Sequence, residues 1–384
     1  MNTIDYYGDL GIFLYHTPIV SALVAAFALL ANRHRTPPQT WLSAVLIVLG
    51  MGMAASFVFD RYLSANRGEI LRPVNIICSL AASLTILFYY TSLMRPRLLT
   101  RKFIFAFCAG WLLFSLITIL PDILWDEFHP LNNITRLTDI SSPAVFFRLL
   151  INICVITFDV WLGVFIIRMY KQYRTFISET YSFREGISLS WINITIGMFI
   201  LMGILDMLWL VNSSAGYKMQ FNFVSAGAIW TIFWFGFRQG KVVSPHSVQE
   251  CDENLPDEPL TLPENTKYSK IKVTLLDYFQ KKKPYLNPEL TLKDVAQELG
   301  VSHYSLSRSI NKEFQMTFYM LINRFRIDNV LHLIDLNREN LNCDTLLAIS
   351  GFKSRSVFFK QFKEKTGFTP QEYIDRQKKS RGKK

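Results

Sequence analysis

Apolar residues come in seven long runs through the first 240 positions and in short amphipathic stripes after 267. The runs are 10–31, 41–59, 73–94, 103–125, 149–167, 187–211 and 221–237. Each is close to the roughly 20 residues that a helix needs to cross a bilayer. Their apolar side chains go all round the helix, as expected where lipid and neighbouring helices surround a segment. Gly50, Gly52 and Ala54 in the second run allow close helix contact. Asp5 and Asp9 flank the start of the first run and no Lys or Arg precedes it, so it does not read as a cleavable leader. From 267 the period changes. Ile271, Leu275, Leu276 and Phe279 form one stripe, ended by Lys281-Lys282-Lys283-Pro284. Thr291 and Asp294 have the spacing of a capping box, and Leu292, Val295, Ala296 and Leu299 make a buried face behind it. Gly300 supplies a turn, and Ser302 caps a second helix that carries Leu306 and Ile310 inward. The arrangement recurs with a helix at 344–350, a turn at Gly351-Phe352, a cap at Ser354 and a helix at 355–366 carrying Val357, Phe358 and Phe362 inward. Pro370 opens a last short helix.

Between these units, 317–335 holds two stripes, Phe318, Leu321, Ile322, Phe325 and then Ile327, Val330, Leu331, Ile334. A step from 318 to 327 is about half a turn out of phase at 3.6 residues per turn. One helix therefore shows its first half one way and its second half the other, which suits a rod joining two subdomains.

Composition sharpens the division. Half the residues are hydrophobic and only 18% charged, with 31 Phe and 8 Trp, which argues against a purely soluble enzyme. Residues 1–265 hold 18 basic and 18 acidic side chains, whereas 266–384 hold 23 and 12, so the whole net charge of +11 sits in the last third. Such a tail suits a polyanion. The domains expected are a seven-span membrane domain over 1–241, a linker over 242–266 and a basic domain over 267–384. Within the linker, 244–265 carries four prolines and six acidic residues without Lys or Arg, the composition of an extended tether spanning about 25 Å. With the N-terminus outside, the inner connections hold twelve Lys and Arg, among them Arg33, Arg95, Arg101, Arg168, Lys171, Arg174, Arg184 and Arg238, against six outside. An odd number of spans then delivers the basic tail to the cytosol. The five cysteines form no C-x-x-C pair and read as thiols.

Carboxylates inside apolar runs are costly and tend to be functional. Asp159 lies in the fifth run and Asp206 in the sixth, with Asp122 and Arg148 nearer the outer side. Asp159 and Asp206 are candidates for an outward-opening signal pocket; alternatively each bonds a neighbouring helix. The outer-loop Asp126, Glu127 and His129 have metal-ligand chemistry, but nothing else supports a metal, and neither metal nor cofactor is expected. No H-E-x-x-H, G-x-S-x-G or phosphate-loop motif is present, so no catalytic role is expected.

In the basic tail, a short helix, a small residue four before the turn glycine and a second helix make a helix-turn-helix layout. Its second helix enters a major groove and presents the face that bears Tyr304, Ser307 and Arg308. In the second unit that face bears Arg355, Ser356 and Lys360. The stretch GFKSRSVFFKQFKEKTGFTPQEY matches G-F-x-S-x-S-x-F-x-x-x-F-K-x-x-x-G-x-T-P-x-x-Y throughout. Residues 268–377 thus resemble the double helix-turn-helix domain of the AraC/XylS family of bacterial transcription regulators. Asn323, Arg324 and Arg326 in the joining helix match more loosely. Two positions depart: Gln315 stands where a glycine usually closes the first recognition helix, so a different turn is expected there, and Leu347 occupies the small-residue place before Gly351. The resemblance implies that Tyr304, Ser307, Arg308, Arg355, Ser356 and Lys360 contact promoter DNA and that RNA polymerase is a partner. The expected fold class is all-α, a seven-transmembrane-helix bundle followed by a cytosolic two-helix-turn-helix DNA-binding domain. The expected place is the bacterial inner membrane. The expected role is a one-component transcription regulator that answers a small-molecule or protein signal, with a homodimer of the bundle as one way to transmit it. Alternatives make the bundle a passive anchor, a dock for another membrane protein, or a transporter, although broken helices and paired midplane charges are sparse.

Overall fold

The computed structural model describes residues 8–58, 73–124, 143–184, 187–211, 215–238, 264–336 and 342–381. Among them the chain is helical throughout, with no strand and one isolated antiparallel bridge between Tyr181 and Thr291. It divides into two compact units, one of Met1–Lys171 with Leu189–Ser244, the other of Gln172–Ser188 with Pro245–Lys384.

The first unit holds α1 (Gly8–Ala31), α2 (Pro37–Val58), α3 (Pro73–Met94), α4 (Arg101–Leu124), most of α5 (Pro143–Thr180), α6 (Ile192–Val211) and α7 (Ala215–Arg238). Helix α2 packs against α1 and α3, and α7 packs against α1 and α6. Close approach depends on small residues, since a Cβ on Gly50 would lie 3.2 Å from that of Ala22 and one on Gly52 would lie 3.1 Å from that of Cys78. Inside the bundle, some polar groups find partners across helices. The hydroxyls of Tyr90 and Thr195 are 2.9 Å apart, and Gln39 Nε2 donates to the Gly236 carbonyl. Large apolar side chains face outward, including Phe27, Phe105 and Phe223.

Of the seven spans expected, four helices are long and apolar enough to cross a membrane among the described residues: Pro37–Val58, Pro73–Met94, Arg101–Leu120 and Leu149–Thr180. Helices α1 and α6 contribute shorter apolar stretches, His16–Ala31 and Ile192–Leu205. Over their full 24 and 20 residues, α1 and α6 rise about 36 and 30 Å at 1.5 Å per residue, comparable to a hydrocarbon core of about 30 Å. Helix α7 carries Gln220, Asn222 and Ser225 in its first half, and it buries Asn222 and Ser225.

The second unit holds α8 (Glu264–Lys282), α9 (Leu292–Leu299), α10 (His303–Phe314), α11 (Phe318–Asp335), α12 (Cys343–Ser350), α13 (Arg355–Thr366) and α14 (Pro370–Arg381). It has two cores. Ile271, Leu275 and Phe279 of α8, Val295 of α9 and Leu306 and Ile310 of α10 close on Phe318, Leu321 and Ile322. Leu346, Phe358, Phe362 and Ile374 close on Ile327, Val330 and Ile334. Helix α11 serves both cores through opposite faces, as its half-turn phase change requires. The tether residues 239–263 lie outside the described residues, and α8 already begins at Glu264.

Candidate nucleic-acid interface

Local chemistry starts each helix of the interface. Thr291 caps α9 with a full capping box, its hydroxyl accepting from the Asp294 amide while the Asp294 carboxylate accepts from the Thr291 amide at 2.8 Å. Gly300 then takes φ 64, the left-handed turn that glycine enters without strain. Ser302 caps α10 by accepting from the Ser305 amide at 3.2 Å. With Ser305, Leu306, Ser309 and Ile310 buried, the opposite face carries Tyr304 (57% exposed), half-buried Ser307 and exposed Arg308. Spacings of three and four residues put these on one side of the helix, and Asn311, seven residues after Tyr304, joins them. The Arg308 guanidinium lies 5.2 Å from the Tyr304 ring centroid, within cation–π range.

The expected departure at Gln315 is resolved against a different turn. Gln315 itself takes the left-handed conformation at φ 54, and its Nε2 donates to the Lys312 carbonyl at 2.9 Å. The left-handed turn is made without glycine, and the side-chain bond to a helix-end carbonyl offsets part of the strain.

In the second unit Asn342 caps α12 by accepting from the Thr345 amide at 2.7 Å. Gly351 follows at φ 80, where a Cβ would meet the Tyr285 carbonyl oxygen at 2.7 Å and Leu286 Cα at 2.8 Å. Glycine is therefore required twice over, for its dihedral and for the space. Ser354 occupies the cap position of α13 without capping, because its hydroxyl bonds that of Ser356 at 2.8 Å. Arg355, Ser356 and Lys360 are all exposed on α13. Arg355 pairs with Asp344 at 3.2 Å and Lys360 with Glu364 at 3.9 Å, all four side chains being open to solvent. Exposed pairs of this kind contribute about 0–1 kcal/mol, so both cations can exchange a carboxylate for a phosphate or a base edge. Leu347 at the small-residue place is half-buried against the second core, while Ala348 is exposed.

Sequence reasoning named one residue, Arg326, without seeing its role. Arg326 of α11 is only 1% exposed. Its Nε donates to the Tyr285 carbonyl at 2.7 Å, one terminal nitrogen to the Ser182 carbonyl at 3.0 Å and to Asn323 Oδ1 at 3.2 Å, and the other to the Asn287 carbonyl at 2.8 Å and to the Ser182 hydroxyl at 3.2 Å. The five bonds use the whole donor fork of a guanidinium. A signal was available, since Arg326 sits four residues from Ile322 of one stripe and four from Val330 of the other, between the two buried faces.

Of the candidate pocket groups, Asp159 on α5 accepts from the Ser83 hydroxyl on α3 at 2.6 Å. The side chains of Asp206, Asp122 and Arg148, and all of Asp126, Glu127 and His129, lie outside the described residues. No group of three metal-ligating side chains occurs among the described residues.

These features define a DNA-binding domain built from two helix-turn-helix units on one joining helix. Residues 295–376 match the family described as a helix-turn-helix domain, of AraC type, which supports a DNA-binding transcription regulator with DNA as its partner. No curated protein and no solved structure matches the chain.

Proposed function

We propose that the chain is a membrane-embedded, one-component transcription regulator. The observation that carries this reading is the union, in one chain, of helices long and apolar enough to cross a membrane with two capped helix-turn-helix units whose exposed faces bear Arg308 and Arg355. The two recognition helices enter successive major grooves about 34 Å apart, and Tyr304, Ser307, Arg308, Arg355, Ser356 and Lys360 contact bases or phosphates. Helices α1, α6 and α7 cross alongside the four longer spans, the N-terminus lies outside and the basic unit lies in the cytosol of a bacterium, where it meets promoter DNA and RNA polymerase. The twofold excess of inner over outer Lys and Arg supports that orientation. A signal, small molecule or protein, acts through the bundle, with Asp159 and Asp206 as its polar contacts and a homodimer as one possible responding state. The bond from Ser83 to Asp159 favours a second reading for that residue, a helix–helix tie in a bundle that serves as an anchor.

Footprinting of the full-length protein on loci recovered by chromatin immunoprecipitation tests the proposal. Arg308→Ala and Arg355→Ala should each weaken specific binding by about 1–3 kcal/mol if they read bases bidentately. Equal losses on specific and random duplexes would reduce both to phosphate contacts, and recovery of no locus by the wild-type protein would refute DNA regulation.

A further inference from the structure

Residues 172–188, the end of α5 and its connection to α6, cluster with the DNA-binding helices rather than with the bundle. The attachment is dense. Tyr181 forms an antiparallel bridge with Thr291, the cap of α9. The Ser182 amide and hydroxyl both donate to the Leu290 carbonyl, at 3.2 and 2.6 Å, while the Ser182 carbonyl and hydroxyl accept from Arg326. Thr180 and Ser182 are each 1% exposed. Arg184 stacks over the Tyr319 ring at the start of α11, and Lys353, two residues before α13, lies over the Phe183 ring at 4.8 Å while it pairs with Glu289 at 2.7 Å. The Tyr173 hydroxyl donates to the Ile187 carbonyl at 3.0 Å, tying the two ends of the segment together.

One contact falls on the reading face itself. Asn311 Nδ2 lies 3.5 Å from Glu179 Oε1, and Asn311 shares its side of α10 with Tyr304, Ser307 and Arg308. A carboxylate there stands where a groove-bound duplex would bring phosphates. The capped start of α9 and the residues just before α13 border the path of the DNA backbone in helix-turn-helix docking, and the segment covers both.

We infer that residues 179–184 are an inhibitory strap: seated on Leu290, Thr291 and Arg326, they set Glu179 against the reading face of α10 and compete with duplex DNA for the DNA-binding helices. Because the strap is continuous in sequence with α5 and α6, a signal that shifts the ends of those helices unseats it without passing through the tether 239–263. The inference rests on the DNA-binding reading and assigns its regulation.

A reversible lock tests it. Residues directly opposite in an antiparallel pair have Cβ atoms about 4.5–5.5 Å apart, near disulfide reach. Tyr181→Cys with Thr291→Cys, in the full-length protein in lipid nanodiscs, is titrated against a random-sequence 40-base-pair duplex before and after dithiothreitol; each single variant controls for the five native thiols. The locked form should bind at least about tenfold more weakly than the same protein reduced. Equal binding in the two redox states overturns the strap, and so does failure to cross-link when both introduced thiols react with maleimide. Glu179→Gln should bind the duplex about threefold tighter than wild type, the Coulomb effect of removing one charge about 6 Å from a phosphate in water. If the reduced double variant binds nothing where wild type binds, this second variant decides, and an unchanged affinity overturns the inference. Absence of binding by wild type in every state instead refutes the DNA-binding reading, and the strap falls with it.

Discussion

Replacing Arg326 with methionine keeps the length and most of the volume of the side chain while removing its five hydrogen bonds. Three of the abandoned acceptors, the carbonyls of Ser182 and Tyr285 and Asn323 Oδ1, are in buried bonds. A buried acceptor left without a donor costs about 1–3 kcal/mol, so the gross loss over the three is about 3–9 kcal/mol. Part of this is recovered because the guanidinium's own burial penalty disappears, leaving about 2–4 kcal/mol. Arg324, two residues away on the same helix, supplies the control. It is exposed and pairs with Asp328 at 3.8 Å, so Arg324→Met should lose less than about 1 kcal/mol. Native-state hydrogen exchange of the full-length protein in detergent, read by mass spectrometry on peptides from α11, measures the opening free energy of that helix. Arg326→Met should speed the slowest amides by about 30- to 1,000-fold, and Arg324→Met by less than about fivefold. Equal protection in the two variants would mean that Arg326 is a buried but energetically idle arginine and that the acceptors find water instead.

Gly351→Ala should destabilise the second helix-turn-helix by at least about 2 kcal/mol, since it adds a left-handed dihedral penalty to a clash with the backbone of residues 285 and 286, whereas Gly300→Ala, with nothing within 4 Å of its Cβ, should lose only the dihedral part of about 1–2 kcal/mol. Thermal unfolding of the two variants compares them, and equal losses would remove the steric argument. Periplasmic reporters fused after residues 136 and 214 and cytosolic reporters after 100 and 245 should be active, while cytosolic activity at 214 would leave the DNA-binding unit on the wrong side of the membrane. The Glu372 carboxylate accepts from the Thr369 amide at 2.8 Å, and this bond to its charged form holds its pKa below the usual glutamate value. A depressed folded value means that the contribution is present above the unfolded pKa and is lost as pH falls through the folded one. Exchange in α14, corrected for intrinsic rates, should therefore begin to rise below about pH 4.5, and Glu372→Gln should abolish that rise.

Much of the second unit could be read from local pattern. Caps such as Thr291 and Ser302 act on amides three residues away, and turns such as Gly300 and Gly351 reflect single backbone dihedrals, so both leave a mark in a few consecutive residues. The half-turn phase change in 317–335 announced two cores because helical periodicity maps directly onto which side is buried. Gln315 was misjudged since the left-handed well is shallow enough for a residue that bonds its own helix end. The bundle was less legible: apolar composition marks Phe27 and Asn222 alike as members of long runs, while only the packing shows that Asn222 is buried and Phe27 faces outward.

Local pattern along the chain is enough for the helix-turn-helix chemistry, the outward cations of α10 and α13 and the division into an apolar front and a basic tail. Only the tertiary structure decided that 172–188 belongs with the tail. In the sequence those residues read as part of an inner loop whose Arg168, Lys171, Arg174 and Arg184 merely counted toward orientation. The physical reason is range. Ser182 and Arg326 are 144 residues apart, and a bond across that distance has no periodicity, cap or turn to announce it. It exists because a buried guanidinium must satisfy every donor and the fold brings one carbonyl and one hydroxyl of Ser182 to where two of those donors point.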